Sequence, residues 1–188
     1  MKTICTRHTR FQAGMTLIEA SVWFVLFALV IAGALKVYSS VSTSQTASAI
    51  STDVSGIRSG AQVLFNGTDG YGSISGASLN NAMVTANKIP SSIKIDTTTT
   101  PYTMTNEQNG GVSVFQNTQS SFGIAESNIS DSVCVIVATN AASQGFPLLQ
   151  LNGFFFYPGS SLKPSDAALR CNYNSNNNTG NTLRFYSN

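Results

Sequence analysis

Residues 14–35 read GMTLIEASVWFVLFALVIAGAL, and this apolar stretch decides the organisation of the chain that follows it. As a helix, the segment from Met15 to Leu35 reaches about 30 Å at about 1.5 Å per residue, which matches the hydrocarbon core of a bilayer. One charged residue, Glu19, lies inside it. A charge at bilayer depth costs at least about 2.5 kcal/mol. We therefore expect the Glu19 carboxylate to have a partner.

The residues before this stretch are typical of an export signal. Residues 1–14 include Lys2, Arg7 and Arg10 but no acidic residue, a pattern that holds the N-terminus in the cytoplasm. Their removal changes the net charge from +2 to −1. The remaining chain has no basic surplus, so its composition gives no electrostatic case for direct binding of nucleic acid.

Two cleavage positions compete. An ordinary signal peptidase would cut at the small-x-small site Ala32-Gly33-Ala34, after Ala34, and release a soluble secreted protein. A cut after Gly14 would leave the apolar helix on the mature chain, with Met15 as its N-terminus. The second position is favoured because the stretch exceeds the usual 7–15-residue signal core. It also gives Glu19 a use, since the carboxylate can neutralise the new amine of its own or a neighbouring chain.

The motif at 14–19, GMTLIE, resembles the processing site of type IV pilins and pseudopilins. In that family, prepilin peptidase cuts after the glycine and methylates the new N-terminal residue. The resemblance implies cleavage between Gly14 and Met15, N-methylation of Met15, and a role for Glu19 in methylation and assembly. Methionine in place of phenylalanine at position 15 is similar to the type IVb subclass, which includes bundle-forming and conjugative thin pili.

The resemblance implies a structural protein rather than an enzyme. We expect a major pilin that assembles with itself into a helical homopolymer and serves adhesion, aggregation or conjugative transfer. The expected partners are prepilin peptidase, the pilus assembly machinery of the inner membrane, and the membrane itself before assembly. The expected location is the inner membrane and then an extracellular pilus of a Gram-negative bacterium. The alternatives are a minor pilin, a type II secretion pseudopilin, or the soluble protein cut after Ala34.

The helix is expected to continue beyond the apolar stretch, to about residue 65. Its first part, 15–36, is the transmembrane or filament-core segment, and 37–66 is an amphipathic part. Apolar residues in that second part recur at steps of three and four: Ala47, Ile50, Val54, Ile57, Ala61 and Leu64. Such steps describe one helix face, which we expect to pack on a sheet. Gly56 and Gly60 weaken this helix locally.

Residues 67–188 are expected to form a globular α+β domain. The resemblance implies the type IV pilin fold, in which the long helix packs on an antiparallel sheet. Strand patterns occur at 112–115, 121–124, 148–151, 154–157 and 182–186, and helix patterns occur at 79–83 and 164–170. Asn152-Gly153 predicts a two-residue hairpin turn. We interpret 97–100 as a loop or edge strand and 172–180 as an exposed loop.

Residues 130–137, SDSVCVIV, are ambiguous. Their β-branched side chains favour a strand, whereas Ser130 as an N-cap and the place of Cys134 resemble a helix of type IVb pilins. The resemblance favours the helix.

Cys134 and Cys171 both lie after the apolar stretch, far apart in the sequence. Cys134 and Cys171 can form a disulfide that bounds residues 134–171 if this part reaches an oxidising compartment; the alternative is two unrelated buried thiols. The sole histidine, His8, lies in the predicted leader. Cleavage after Gly14 would therefore exclude a Ser-His-Asp triad and any metal site that needs histidine. We expect no cofactor and no bound metal.

Overall fold

The computed structural model describes residues 16–65, 70–71, 76–141, 143–157, 162–172 and 180–188. The chain divides into two compact units, Met1–Ser40 and Val41–Asn188. Helix α1 (Leu17–Phe65) contributes residues to both units. The prediction of a long N-terminal helix is thus confirmed.

Within the first unit, the described part of α1 carries its apolar side chains on every side. Every residue from Leu17 to Ser40 is exposed apart from Ala20, which is half-buried. No proline interrupts the helix here, so the intrahelical hydrogen bonds can continue from turn to turn.

Within the second unit, α1 buries one stripe of side chains. The buried apolar positions are Ala47, Ile50, Val54, Ile57, Ala61 and Phe65. The predicted stripe is correct from Ala47 to Ala61. The next buried residue then follows Ala61 after four positions, not after the three that were predicted. Phe65 is therefore buried, and Leu64 is only partly buried.

In the described residues, seven strands form one sheet that shares this core with the helices, in the order β1-β2-β3-β4-β7-β5-β6, and its pairs are antiparallel. The strands are β1 (Lys94–Asp96), β2 (Thr103–Thr105), β3 (Gly111–Thr118), β4 (Ser121–Ile129), β5 (Leu148–Leu151), β6 (Phe154–Phe156) and β7 (Asn181–Ser187). The shorter helices are α2 (Gly76–Thr85), α3 (Asp131–Ala141) and α4 (Pro164–Cys171). The predicted α+β class, with an antiparallel sheet beside a long helix, is confirmed.

The last strand lies in the interior of the sheet. β7 pairs with β4 on one side and with β5 on the other, so that Phe185 lies opposite both Ile124 and Leu149. The β5–β6 hairpin therefore joins the rest of the sheet through β7. Its turn is Asn152-Gly153, with φ of 49° and 92°, which is the geometry that an Asn-Gly hairpin favours.

The ambiguous segment at 130–137 is helical. The amide of Cys134 donates to the carbonyl of Ser130 at 2.8 Å, one turn earlier. Helix α3 buries Val133, Cys134 and Val137, whose spacing of three and four is helical. Tertiary burial of this face thus prevails over the strand preference of β-branched residues.

Most of the remaining local predictions are confirmed. Helices α2 and α4 and strands β3, β4, β5, β6 and β7 lie where the patterns indicate, within a few residues at their ends. Residues 97–100 are a loop, and the strand of this region is β1, immediately before them. Of the predicted loop at 172–180, residues 173–179 lie outside the described residues.

Candidate functional site

The apolar half of α1 is the first candidate. By length and composition, α1 is suited to cross a membrane, and nothing in its most apolar window is buried within the chain. Its bulky exposed side chains include Leu17, Ile18, Trp23, Phe24, Phe27 and Leu35. A contiguous exposed apolar surface of this kind is typical of a segment that is covered by lipid or by other helices.

Glu19 lies in the first turn of this helix. Its backbone N–H donates to Thr16 Oγ1 at 3.3 Å, and the Ala20 N–H donates to the Thr16 carbonyl at 3.0 Å. Thr16 is therefore the N-cap, and Thr16-x-x-Glu19 has the spacing of a capping box. The Glu19 side chain is exposed, and its negative charge is favoured at the positive end of the helix dipole. This cap was not among the sequence-based predictions, although the S/T-x-x-E signal is present at 16–19.

The predicted cleavage pair, Gly14 and Met15, lies outside the described residues. The helix begins at Leu17, immediately after the Thr16 cap. Cleavage after Gly14 and methylation of the Met15 amine remain predictions.

Cys134 and Cys171 form a disulfide with a Cα–Cα distance of 5.8 Å. It joins α3 to the last residue of α4, and both cysteines are fully buried. The segment between them includes the β5–β6 hairpin, so the disulfide encloses one edge of the sheet. The alternative of two unrelated thiols is thereby excluded.

A buried asparagine organises the surroundings of this disulfide. Asn181 Nδ2 donates to the Ile129 carbonyl at 2.9 Å and to Asp131 Oδ1 at 2.7 Å. Asn181 Oδ1 accepts from Asn152 Nδ2 at 2.7 Å, and Asn152 also donates to the Arg170 carbonyl at 2.8 Å. These bonds link β7, the start of α3, the hairpin turn and the end of α4. They hold the two helices that carry the cysteines.

Two buried carboxyl groups were not predicted as functional residues. Asp53 on α1 is 3% exposed and Glu126 on β4 is 0% exposed. Ser92 Oγ donates to Asp53 Oδ1, and Asn106 Nδ2 donates to Glu126 Oε2 at 2.8 Å. The burial of Glu126 could have been inferred from the alternation of side chains along β4, which places Glu126 on the same buried face as Phe122 and Ile124.

The environment raises the pKa of both groups. Burial raises the pKa of Glu126 to about 7; the hydrogen bond from Asn106 lowers it and the charge of Asp53 raises it. Burial also raises the pKa of Asp53, and the hydrogen bond from Ser92 opposes this effect. Desolvation disfavours the charged form of a carboxyl group when no cation compensates it.

The described residues offer little for catalysis. No group of three or more His, Cys, Asp or Glu side chains among them could hold a metal ion. An open groove of about 600 Å³ lies beside the second half of α1, lined by Ser44, Ser48, Ser51, Thr52, Ser55, Ile136, Asn140, Ser143 and Gln144. The lining is uncharged and contains no residue that could activate one of these hydroxyl groups as a nucleophile.

Comparison with known proteins places this architecture in a family. The profile of the PilS N-terminal family matches residues 44–188. A crystal structure of a type IVb pilin from Salmonella typhi is similar at 24% identity, with a TM-score of 0.59, and the match covers 72% of this chain and 95% of that chain. TcpA, a type IV pilin from Vibrio cholerae El Tor biotype, matches at 12% identity and a TM-score of 0.45, over 73% of this chain and 98% of that chain. No curated protein matches.

The family match covers the whole of the second unit except its first three residues. The similarity to the Salmonella pilin concerns the same kind of architecture, a long helix beside an antiparallel sheet. The chain therefore belongs to the PilS N-terminal family and has the fold of a type IVb pilin.

Proposed function

We propose that this chain is the major structural subunit of a type IVb pilus, assembled through its N-terminal helix. The observation that supports it most is the apolar half of α1, which is exposed on every side. Burying a leucine, isoleucine or phenylalanine side chain contributes about 1.5–3 kcal/mol. A helix with so many such side chains will not leave the bilayer for water. It can leave the bilayer for a bundle of identical helices.

Maturation prepares this helix for the bundle. Prepilin peptidase cuts between Gly14 and Met15 at the inner membrane and methylates the Met15 amine. Helix α1 begins at Leu17, near the new N-terminus. Glu19 lies in its first turn and has an exposed carboxylate. The Glu19 carboxylate pairs with the N-terminal amine of a neighbouring subunit as that subunit docks. Such a pair offsets the desolvation of both charges in an apolar setting.

Continuity of α1 supports this cleavage position over a cut after Ala34. The Ala32–Ala34 site lies well inside the helix that begins at Leu17. A cut there would separate the apolar residues from the second unit and remove Glu19. The product could not use the helix for assembly.

The decisive experiment is mass spectrometry of the protein from sheared pili of a Gram-negative host that expresses the full chain with its assembly system. We expect the mass of residues 15–188 with one added methyl group. A Gly14→Val variant is the matched control and should accumulate as an uncleaved precursor in the inner membrane. A mature product that begins at Leu35 would overturn the proposal.

The same preparation distinguishes a major from a minor subunit. A major pilin dominates a gel of purified filaments, whereas a minor pilin or a secretion pseudopilin is scarce there. A deletion strain then separates the possible roles of the pilus. Surface attachment measures adhesion, sedimentation of liquid cultures measures aggregation, and mating frequency measures conjugative transfer.

A further inference from the structure

The segment 86–110, which connects α2 to β3, is fastened to the core at two buried carboxyl groups. At one point, Ser92 donates its hydroxyl to Asp53 on α1. At the other, Asn106 donates to Glu126 on β4 and, at 3.1 Å, to the Ser127 carbonyl. The side-chain oxygen of Asn106 accepts the amides of Gln108 and Gly110 at 3.0 and 2.8 Å. Asn106 thus shapes the β2–β3 turn and holds it on β4.

Each carboxyl group keeps one oxygen without a hydrogen-bond partner. In the described part of the chain, Asp53 Oδ2 and Glu126 Oε1 are buried and make no hydrogen bond. An ionised carboxylate accepts at both oxygens, so two ionised groups here would leave two buried charged acceptors unsatisfied. A protonated carboxyl group carries an O–H instead and loses its charge.

Among the residues that the structure describes, the elements around Asp53 and Glu126 place no compensating cation beside them. On the sheet, Glu126 lies between Val112 of β3 and Leu183 of β7, which are both apolar. On α1, Asp53 raises the pKa of Glu126 by its charge. Arg58, five residues further along α1, donates to the Gln144 carbonyl at 2.9 Å and lies over the Phe146 ring. In the β2–β3 turn, Glu107 is exposed.

We propose that Asp53 and Glu126 form a proton-dependent latch, which holds the segment 86–110 on the core while the pair retains one proton and loosens it when both groups are ionised. The two anchoring side chains, Ser92 and Asn106, are neutral. They can hold a carboxyl group in either state but cannot neutralise its charge.

The direction of the pH effect follows from Glu126. Its pKa is about 7 in the closed protein, against 4.5 for an exposed glutamate. The closed state therefore holds a proton between these values that the open state releases, and opening becomes easier as the pH rises from 4.5 to about 7. The latch therefore holds the segment 86–110 most firmly at acidic pH and least firmly above neutral pH.

The test is hydrogen exchange of the full-length mature protein in detergent micelles, followed by mass spectrometry between pH 5 and pH 8. Rates are converted to protection factors, which removes the intrinsic pH dependence of exchange. We expect the protection of peptides within 86–110 to fall roughly a hundredfold over this range, since each pKa unit is a factor of ten in the opening constant. Peptides from β4 and β7 serve as the internal reference.

Three variants make the test specific. Glu126→Gln keeps an acceptor for Asn106 but cannot ionise, so its protection should not change with pH. Asp53→Asn removes the second charge and should move the fall to lower pH. Glu107→Gln changes an exposed carboxylate in the same turn and should reproduce the wild-type profile.

Parallel profiles of the wild type and Glu126→Gln would overturn the latch. If Glu126→Gln fails to fold, Asp53→Asn decides the question, because a profile that superposes on the wild type refutes the coupling of the two groups. A ¹³C-detected titration of the Glu126 carboxyl group gives an independent reading. Ionisation that is complete at pH 5 also refutes the proposal.

Discussion

The backbone carbonyl of Lys88 lies 2.5 Å from the position that a Cβ on Gly60 would occupy. One turn earlier, a Cβ on Gly56 would lie 2.8 Å from Cγ of Pro90. The two glycines therefore let the backbone that follows α2 pack directly against α1. The sequence alone indicated only that these glycines weaken the helix. The structure shows that they also permit close packing of Lys88 and Pro90 against α1.

Gly60→Ala should destabilise the second unit by about 1–3 kcal/mol, because the new methyl group overlaps a backbone carbonyl that cannot rotate away. Helix propensity alone predicts the opposite sign, a gain of about 1 kcal/mol. Urea unfolding in micelles, followed by circular dichroism, measures the difference.

Gly33→Ala is the matched control for this substitution. Gly33 lies in the same helix, and a Cβ there would meet no atom within 4 Å. This variant should unfold like the wild type or at slightly higher urea. Equal stabilisation by both substitutions would contradict the close contact at Gly60.

Cys134→Ser should lower the free energy of unfolding by about 3–4 kcal/mol, a chain-entropy estimate for a closed loop of this length. The bond spans a sequence separation of 37 and joins α3 to α4. Its loss should reduce accumulation of the mature protein in the periplasm, which immunoblotting of fractions measures. Cys5→Ser is the control, because Cys5 belongs to the predicted leader. Normal pilus yield from Cys134→Ser would argue against a stabilising role for the bond.

Glu19→Ala and Glu19→Gln should test whether assembly needs the charge of this side chain. Glutamine keeps a polar side chain at the N3 position of the capping-box spacing but carries no charge. Alanine removes both the charge and the polar group, whereas the observed cap bond, from the Glu19 backbone N–H to Thr16 Oγ1, does not depend on this side chain. We expect both variants to be cleaved and neither to form filaments alone, because the neighbouring amine lacks its counter-charge. Electron microscopy of sheared material measures this. Abundant filaments from Glu19→Gln would show that assembly does not need the charge.

Asn106→Ala should destabilise the second unit more at pH 8 than at pH 5. The hydrogen bond from Asn106 lowers the pKa of Glu126, so it is stronger to the ionised carboxylate. Hydrogen bonds to charged groups contribute about 1.5–3 kcal/mol and neutral ones about 0.5–1.5 kcal/mol. The additional loss at pH 8 should be about 1 kcal/mol in urea unfolding curves. An equal loss at both pH values would indicate that Glu126 does not ionise in this range.

Local features of the fold were predictable because short-range physics determines them. The helical stripe from Ala47 to Ala61 and the Asn152-Gly153 hairpin depend on residues within a few positions of one another. The α3 helix required the family resemblance, since the propensity of its β-branched residues indicates a strand. The residues that carry the predicted assembly chemistry, Gly14, Met15 and Glu19, came from a motif together with the cost of a charge in an apolar segment.

Long-range features were not predictable by these means. The pairing of β7 with both β4 and β5 joins segments more than 30 residues apart, and no local signal specifies such a partner. The contact of Gly60 with Lys88 depends on the same tertiary arrangement. The burial of Glu126 was indicated by its strand face, but Asp53, whose charge raises its pKa, lies on another element. The effect of one carboxyl group on the other emerged only from the packed structure.

The interior position of β7 also constrains the order of events during export. In the export that we propose, residues 181–187 are the last of the described strands to cross the membrane, so β4 and β5 lack until then the strand that joins them. Cys134 and Cys171 both precede β7 in the chain, so their disulfide can close before β7 joins the sheet. The β5–β6 hairpin therefore joins the rest of the sheet only once the last described strand has paired with both β4 and β5.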